Sequence, residues 1–314
     1  MLNACKRLVC RKGLSNEEWR NYRRQGIGGS DAGAIAGLNH YDSAFTVYYD
    51  KVGQAAEKEE NELMRQGTDL EEYVAKRFTE RTGKKVQNCN YILQSKKYPF
   101  MFGDVDRVIV GENALLECKT TRNYDGYDFS AGEYPSYWGC QAQHYMAVTG
   151  ADKVYLAVLE FGKGFYIIEI PRDENDINAL IEIERRFWEE NVLKGIPPAP
   201  DGSDGSAELI NAKYSADETL PNIDLTGYTG QLERLSELKC EISNLTEEKS
   251  AIENALKEAL GNATVGNTDR FKVTWKNRIS SRLDCKRLKA ELPDIYEYYV
   301  VTNESRTFLF SEIK

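Results

Sequence analysis

The chain has 314 residues, 41% hydrophobic and 29% charged, the balance of a globular protein with length for one large domain plus an appendage or two modest domains. Its net charge of −9 gives no global sign of nucleic-acid binding, although a local basic groove is compatible with it. Seven cysteines without a CxxC pair argue against a zinc ribbon, a common iron–sulfur site or a disulfide framework, and two histidines leave little material for a Ser-His-Asp triad.

The opening MLNACKRLVCRKGLSNEEW is basic, but its apolar stretch is too short and broken for a secretory signal. No run is long enough to span a bilayer, so no membrane partner and a cytoplasmic location are expected. Residues 15–25, SNEEWRNYRRQ, predict a short helix with a Ser15/Glu18 capping box. GIGGSDAGAIAG (26–37) predicts a glycine-rich turn entering a small-residue helix. Two readings stay open there: an anion cradle of backbone N–H groups, or a tight turn before a closely packed helix. Residues 67–83 predict an amphipathic helix with Leu70, Val74, Ala75 and Phe78 on one side and Glu71 at the edge of that face. Glu72 is expected to pair with Lys76 one turn on.

GDVDRVIVGENALLECKTT (103–121) reads as two strands that carry charge among apolar residues. A turn centred between Gly111 and Glu112 sets opposite each other residues whose numbers sum to 223, so Asp106 faces Glu117 and Asp104 faces Lys119. Two opposed carboxylates repel unless a cation lies between them, and magnesium prefers such oxygen ligands. Lys119 beside the ion could position or deprotonate a water and stabilise charge on a phosphate. A cross-strand salt-bridge ladder is the plain alternative.

Pro135 marks the start of a helix, SYWGCQAQHYMAVTG, that stops at Gly150. VYLAVLEF and GFYIIEI follow as strands, then a charged amphipathic helix around IEIERRFWEENVLKG. This order predicts a mixed α/β layer architecture. IPPAPDGSDGSAE (196–208) has boundary composition. The expected organisation is a core over 1–200, a linker over 201–226, and an extension over 227–314. In the extension, Leu235, Leu238, Ile242, Leu245, Ile252 and Leu256 occupy heptad a and d positions, broken by Lys249, the pattern of a helical hairpin or short coiled coil. FKVTW, DCKRLKAELP and RTFLFSEI predict a small α/β cap.

Taken in order, RRQGIGGSDA, GTDLEEYVAKRF, FGDVDRV, LLECKTT and CQAQHYMAVTG resemble the lambda-exonuclease and YqaJ-type viral recombinase family of PD-(D/E)xK nucleases, over roughly residues 19–195. The resemblance implies a restriction-endonuclease-like core, a mixed central sheet flanked by helices. It implies magnesium-dependent 5′ to 3′ digestion of double-stranded DNA ends, leaving a 3′ overhang for a single-strand annealing protein. Two magnesium ions are expected, manganese being able to substitute, and ring-forming relatives imply a homo-trimer. A phage-encoded member would work in the host cytoplasm.

Carried over residue by residue, the metal ligands are Asp106, Glu117 and the backbone carbonyl of Cys118. The catalytic lysine is Lys119, Glu71 supports a second metal through water, and Gln143 orients water or phosphate. Ser30 and Arg24 hold the 5′ phosphate. Asp104, Gln141 and Arg23 are the alternatives. This chain departs from the family where Arg107 follows the metal aspartate in place of glycine, and where residues 200–314 extend past the lambda-type core. An endonuclease on the same core, and a non-catalytic DNA-binding or scaffold protein, are the competing readings.

Overall fold

The structure, a computed structural model, describes residues 3–55, 62–123, 125–302 and 306–312. It divides into two compact units, Met1–Ser215 and Ala216–Lys314. The first unit runs β1 (Cys5–Cys10), α1 (Asn16–Arg23), α2 (Gly29–Ile35), α3 (Ala44–Lys51), α4 (Glu62–Thr82), β2 (Val86–Asn88), β3 (Tyr91–Ser95), β4 (Phe102–Gly103), β5 (Arg107–Ile109) and β6 (Ala114–Thr121). It continues with α5 (Ser136–Thr149), β7 (Lys153–Glu160), β8 (Gly164–Pro171), α6 (Glu174–Arg186) and α7 (Asp204–Lys213). A five-stranded sheet has the order β2-β5-β6-β7-β8, and a three-stranded sheet the order β1-β3-β4. Within the larger sheet only β6 and β7 are parallel.

The two-residue period of β6 decides the layering. Leu115 enters the core shared with Trp138, Ala142 and Met146 of α5. Ala114 and Leu116 enter the opposite core, with Val74, Ala75 and Phe78 of α4. Covered on both faces, β7 accordingly reads VYLAV without alternation. A parallel β6–β7 pair needs a crossover, and α5 supplies it. That helix begins after Pro135 and ends at Gly150, whose φ of 75° is left-handed. Full burial of a side chain such as Phe78 contributes about 1.5–3 kcal/mol, and α4 places its apolar stripe accordingly.

The α1 capping box forms as its spacing predicts. In α2 the glycines serve close packing. A Cβ on Gly29 would stand 2.4 Å from the Tyr145 ring, and one on Gly33 2.6 Å from Cβ of Tyr137, so the helix can lie against α5 only without those side chains. Downstream, α6 passes into a π-helical turn, Phe187–Val192, that buries Phe187.

The boundary falls later than composition suggests. Ser206 Oγ lies 2.9 Å from Ser43 Oγ, Gly205 N–H donates to the Tyr41 carbonyl, and Lys213 donates to the Tyr49 hydroxyl. Residues 201–215 thus belong to the first unit, and the expected linker is reduced to the stretch beyond Ser215.

In the second unit, α8 (Thr229–Leu260) is one uninterrupted helix, so a helical hairpin is not formed. Leu238, Ile242, Leu245, Ile252 and Leu256 are exposed along it. An antiparallel ribbon of β9 (Val265–Asn267) and β10 (Lys272–Thr274) follows, then α9 (Cys285–Glu291) and α10 (Pro293–Tyr299). RTFLFSEI forms neither helix nor strand through Glu312, and its Ile313 lies outside the described residues. Among the described residues no helix is long and apolar enough to cross a membrane.

Candidate active site

The strands β5 and β6 pair Arg107 with Leu116 and Val108 with Leu115, the register of the 223 sum. Asp106 sits one residue beyond that ladder, where its Oδ2 accepts the Cys118 N–H at 2.8 Å. Glu117 and Lys119 share the face of Leu115 and therefore meet α5. Lys119 Nζ donates to Glu117 Oε1 at 2.9 Å and to Gln141 Oε1 at 2.7 Å. Gln141 Nε2 donates to Glu117 Oε1 at 2.8 Å and to the Tyr145 hydroxyl at 3.1 Å. Tyr145 donates in turn to the Asp104 carbonyl at 3.0 Å. Trp138, one turn before Gln141, places its ring 5.7 Å from Lys119 Nζ. One strand thus contributes the charges and one helix face holds them.

The electrostatics are those of a site short of positive charge. Glu117 is buried, and its Oε2 has no hydrogen-bond partner among the described residues. Burial first, against the opposing pull of Lys119, lifts the Glu117 carboxyl above its ordinary range. Asp106 is driven well above it by burial and by the charges of Glu117 and Glu71, despite the Cys118 N–H. Burial and the same two carboxylates, Glu117 before Asp106, push the Tyr145 phenol up as well. A buried acid pair with an orphaned oxygen needs a proton or a cation between its members. The donor set, hard oxygens only, fits a divalent ion such as magnesium. Among the described residues no three His, Cys, Asp or Glu side chains are grouped to hold a metal. Asp106 and Glu117 would therefore share such an ion with waters and backbone oxygen, the habit of magnesium.

Several expected positions fall elsewhere. Gln143, two residues from Gln141 and so on another face of α5, is buried between the Pro171 carbonyl and the Asp173 N–H, at 3.0 and 3.1 Å. It links α5 to the end of β8, and Gln141 is the glutamine that bonds Lys119 and Glu117. Asp104 does not face Lys119: its carboxylate is held by Arg11 and by Trp19 Nε1. Arg24 pairs with Asp50, whereas Arg23 donates to Ser30 Oγ at 2.6 Å. The reason is helical spacing, since adjacent residues at the end of α1 project about 100° apart. Glu71 does approach the carboxylates, but Arg107 engages it, and Arg107 also takes Glu72 at 2.9 Å. Lys76 instead pairs with Glu80. Arg107, on the α4 side of β5 and only 5% exposed, is thus the residue that ties α4 to the site.

The glycine-rich stretch is closely packed. Its N–H at Gly28 is already taken by Asp31 Oδ2 at 2.8 Å, and Asp31 is paired with buried Lys51 at 2.6 Å. Burial opposes the charge on Asp31, but Lys51 and Arg23 outweigh it and hold the carboxyl below its usual range. Exposed Ser30 meets half-buried Arg23, which lines a cavity of about 430 Å³ together with Trp19, Arg20 and Arg24. None of Asp106, Glu117 and Lys119 lines it. Tyr145 and Arg11 carry no expectation from the sequence, and Arg107 enters there only as a departure from the family pattern. For Tyr145 a signal existed, because it follows Gln141 at helical i+4 spacing.

Residues 18–152 match the model of the YqaJ-like viral recombinase domain. The chain is 39% identical to the uncharacterized protein YqaJ of Bacillus subtilis (strain 168) over 306 residues, 96% of this chain and 95% of that one. Among solved structures it resembles the alkaline exonuclease LHK-Exo of Laribacter hongkongensis. The complex of LHK-Exo with dAMP aligns at a TM-score of 0.50 and 19% identity, over 58% of this chain and 94% of that one. A putative exonuclease from Eubacterium rectale aligns at a TM-score of 0.45 and 14% identity, over 69% of this chain and 98% of that one. The core is therefore the expected restriction-endonuclease-like fold, a mixed sheet flanked by helices.

Proposed function

The chain belongs to the YqaJ-like viral recombinase family, and we propose that it is a magnesium-dependent exonuclease. In this reading it degrades linear double-stranded DNA from the 5′ end and leaves a 3′ overhang for an annealing protein. The observation that carries the reading is the orphaned, buried carboxylate oxygen of Glu117 beside Asp106, with Lys119 and Gln141 bound to the same glutamate. Asp106, Glu117 and the Cys118 carbonyl are the groups that would hold the ion. When bound, a divalent ion supplies a Lewis acid for phosphate oxygen and a water of lowered pKa.

The rest of the work belongs to side chains. Lys119 Nζ, fixed by two acceptors, sets positive charge where a phosphate oxygen becomes more negative. Gln141 locks the rotamers of Lys119 and Glu117 together, and Tyr145 fixes Gln141. Arg23 and Ser30 bind the terminal 5′ phosphate, and Asp31 keeps Arg23 oriented. Glu71 would support a second ion only by sharing its carboxylate with Arg107. A homo-trimer around the duplex and recruitment of an annealing protein complete the proposal.

The test is a gel of 5′-phosphorylated, 5′-hydroxyl and covalently closed circular duplex DNA with magnesium or EDTA. Magnesium-dependent loss of the linear substrates, faster with a 5′ phosphate and absent on the circle, is the expected result. Cutting of the circle would instead indicate an endonuclease. If linear DNA stays intact, and neither chelator nor Lys119→Ala changes anything, the proposal is wrong.

A further inference from the structure

In a chain of net charge −9, residues 270–289, RFKVTWKNRISSRLDCKRLK, hold eight basic side chains and one acid. That acid, Asp284, is committed as the cap of α9, accepting the Arg287 N–H at 2.9 Å. Arg287 itself pairs with Glu291. Arg270, Lys272, Lys276, Arg278, Arg282 and Lys286 form no ion pair among the described residues. Elsewhere in the chain, cations such as Arg185, Arg186 and Arg234 are matched by glutamates one turn away. The concentration of unmatched positive charge is therefore local to this segment of the second unit.

The ribbon at its start adds a second feature. Thr268 N–H donates to the Phe271 carbonyl and Trp275 N–H to the Thr264 carbonyl, so the pairing of β9 and β10 extends over 271–275. A period of two sets Phe271, Val273 and Trp275 on one face, with Lys272, Thr274 and Lys276 on the other. Phe271 is 65% exposed and Trp275 48%. The guanidinium of Arg270 stands 5.6 Å from the Phe271 ring. Two large aromatic side chains on one face of a cationic ribbon present flat apolar surface beside positive charge, a pairing that suits a flat anionic ligand.

We propose that this ribbon and the basic segment behind it, residues 270–289, form a binding site for single-stranded DNA, separate from the catalytic carboxylates. Phe271 and Trp275 stack on unpaired bases, and the unmatched lysines and arginines neutralise the phosphates. Charge alone would serve duplex and single strand equally. Exposed rings reach base faces only where the bases are unpaired, which selects the single strand. The inference rests on the nuclease reading for the source of that strand, the 3′ overhang, but binding itself requires neither metal nor hydrolysis.

The experiment is fluorescence anisotropy of the full chain in EDTA, with a labelled oligothymidine and a duplex of equal length, across a salt series. Tighter binding to the single strand is expected. Phe271→Ala with Trp275→Ala should weaken oligothymidine binding about tenfold or more while sparing the duplex. Lys272→Gln, Lys276→Gln and Arg278→Gln together should reduce the single-strand salt slope by about 2. Trp275→Phe should keep the affinity but remove quenching of tryptophan emission by the oligomer, and circular dichroism melting verifies that each variant is folded. Variants that bind as the wild type does would overturn the proposal. So would an unchanged aromatic variant alongside equal loss of single strand and duplex in the charge variant, which would mean a non-specific polyanion surface. Lys119→Ala, expected to slow cleavage roughly 10²-fold or more, should leave this binding intact, so the two readings fail separately.

Discussion

Lys119 is bound through its ammonium to both Glu117 and Gln141. Replacing it with alanine removes the fixed positive charge next to two carboxylates whose protonation the protein already disfavours losing. The expected loss in single-turnover cleavage is roughly 10²-fold or more, with duplex affinity in EDTA unchanged. The two glutamines of α5 separate by the same logic. Gln141→Ala should lower the cleavage rate with little change in melting temperature. Gln143→Ala should preserve the rate but leave the Pro171 carbonyl and Asp173 N–H unmatched, costing about 1–3 kcal/mol of stability in chemical denaturation. If Gln143→Ala abolishes cleavage while stability is unchanged, the assignment is reversed. Sequence spacing identified a glutamine on this helix; which of the two faces the site depends on the rotation of α5 against the sheet. Likewise, Arg23 and Arg24 are equivalent as letters, and only the end of α1 determines that Arg23 meets Ser30.

Between α5 and α6 lies a pair that tests the packing of the elements themselves. His144 Nδ1 is 2.8 Å from Glu184 Oε1, and Nε2 is 2.8 Å from the Phe102 carbonyl, all fully buried. Burial opposes charge on the imidazole, but Glu184 and the Phe102 carbonyl outweigh it and raise its pKa above the ordinary value. The folded protein therefore holds a proton that the unfolded chain releases near pH 6.5. The pair's stabilisation is fully present once pH lies below that value and is lost as pH rises through the higher, folded value. Melting temperature measured upward from pH 6.5 should fall, and Glu184→Gln should flatten that dependence while destabilising the fold by about 3–5 kcal/mol. A wild-type profile flat across that range would contradict the pairing. At this scale helices and strands were legible from apolar period and caps, because both act locally. The place of β1 was not, since it pairs with β3 across a long sequence separation, Cys5 opposite Ser95.

For the molecule as a whole, the division at Ser215 predicts that residues 1–215 fold and cleave alone. A truncated chain ending there should melt cooperatively near the full-length midpoint and digest linear duplex, yet lose the single-strand preference measured in EDTA. Loss of folding would show that the second unit is needed to complete the first. The extension was foreseeable as a separate region, but its boundary was not. Pro, Gly and Ser at 196–206 look like linker, and contacts of Gly205 and Ser206 with Tyr41 and Ser43 make them part of the core. By itself the sequence determined the layer architecture, the family, the hairpin register and the grouping of Asp106, Glu117 and Lys119, because these follow from period, order and charge along the chain. Only the tertiary structure decided which neighbour each polar group answers to: Asp104 to Arg11, Glu71 to Arg107, Gln141 to Lys119. Those choices depend on how helices rotate and approach across the sheet, and distance along a sequence does not encode distance through space.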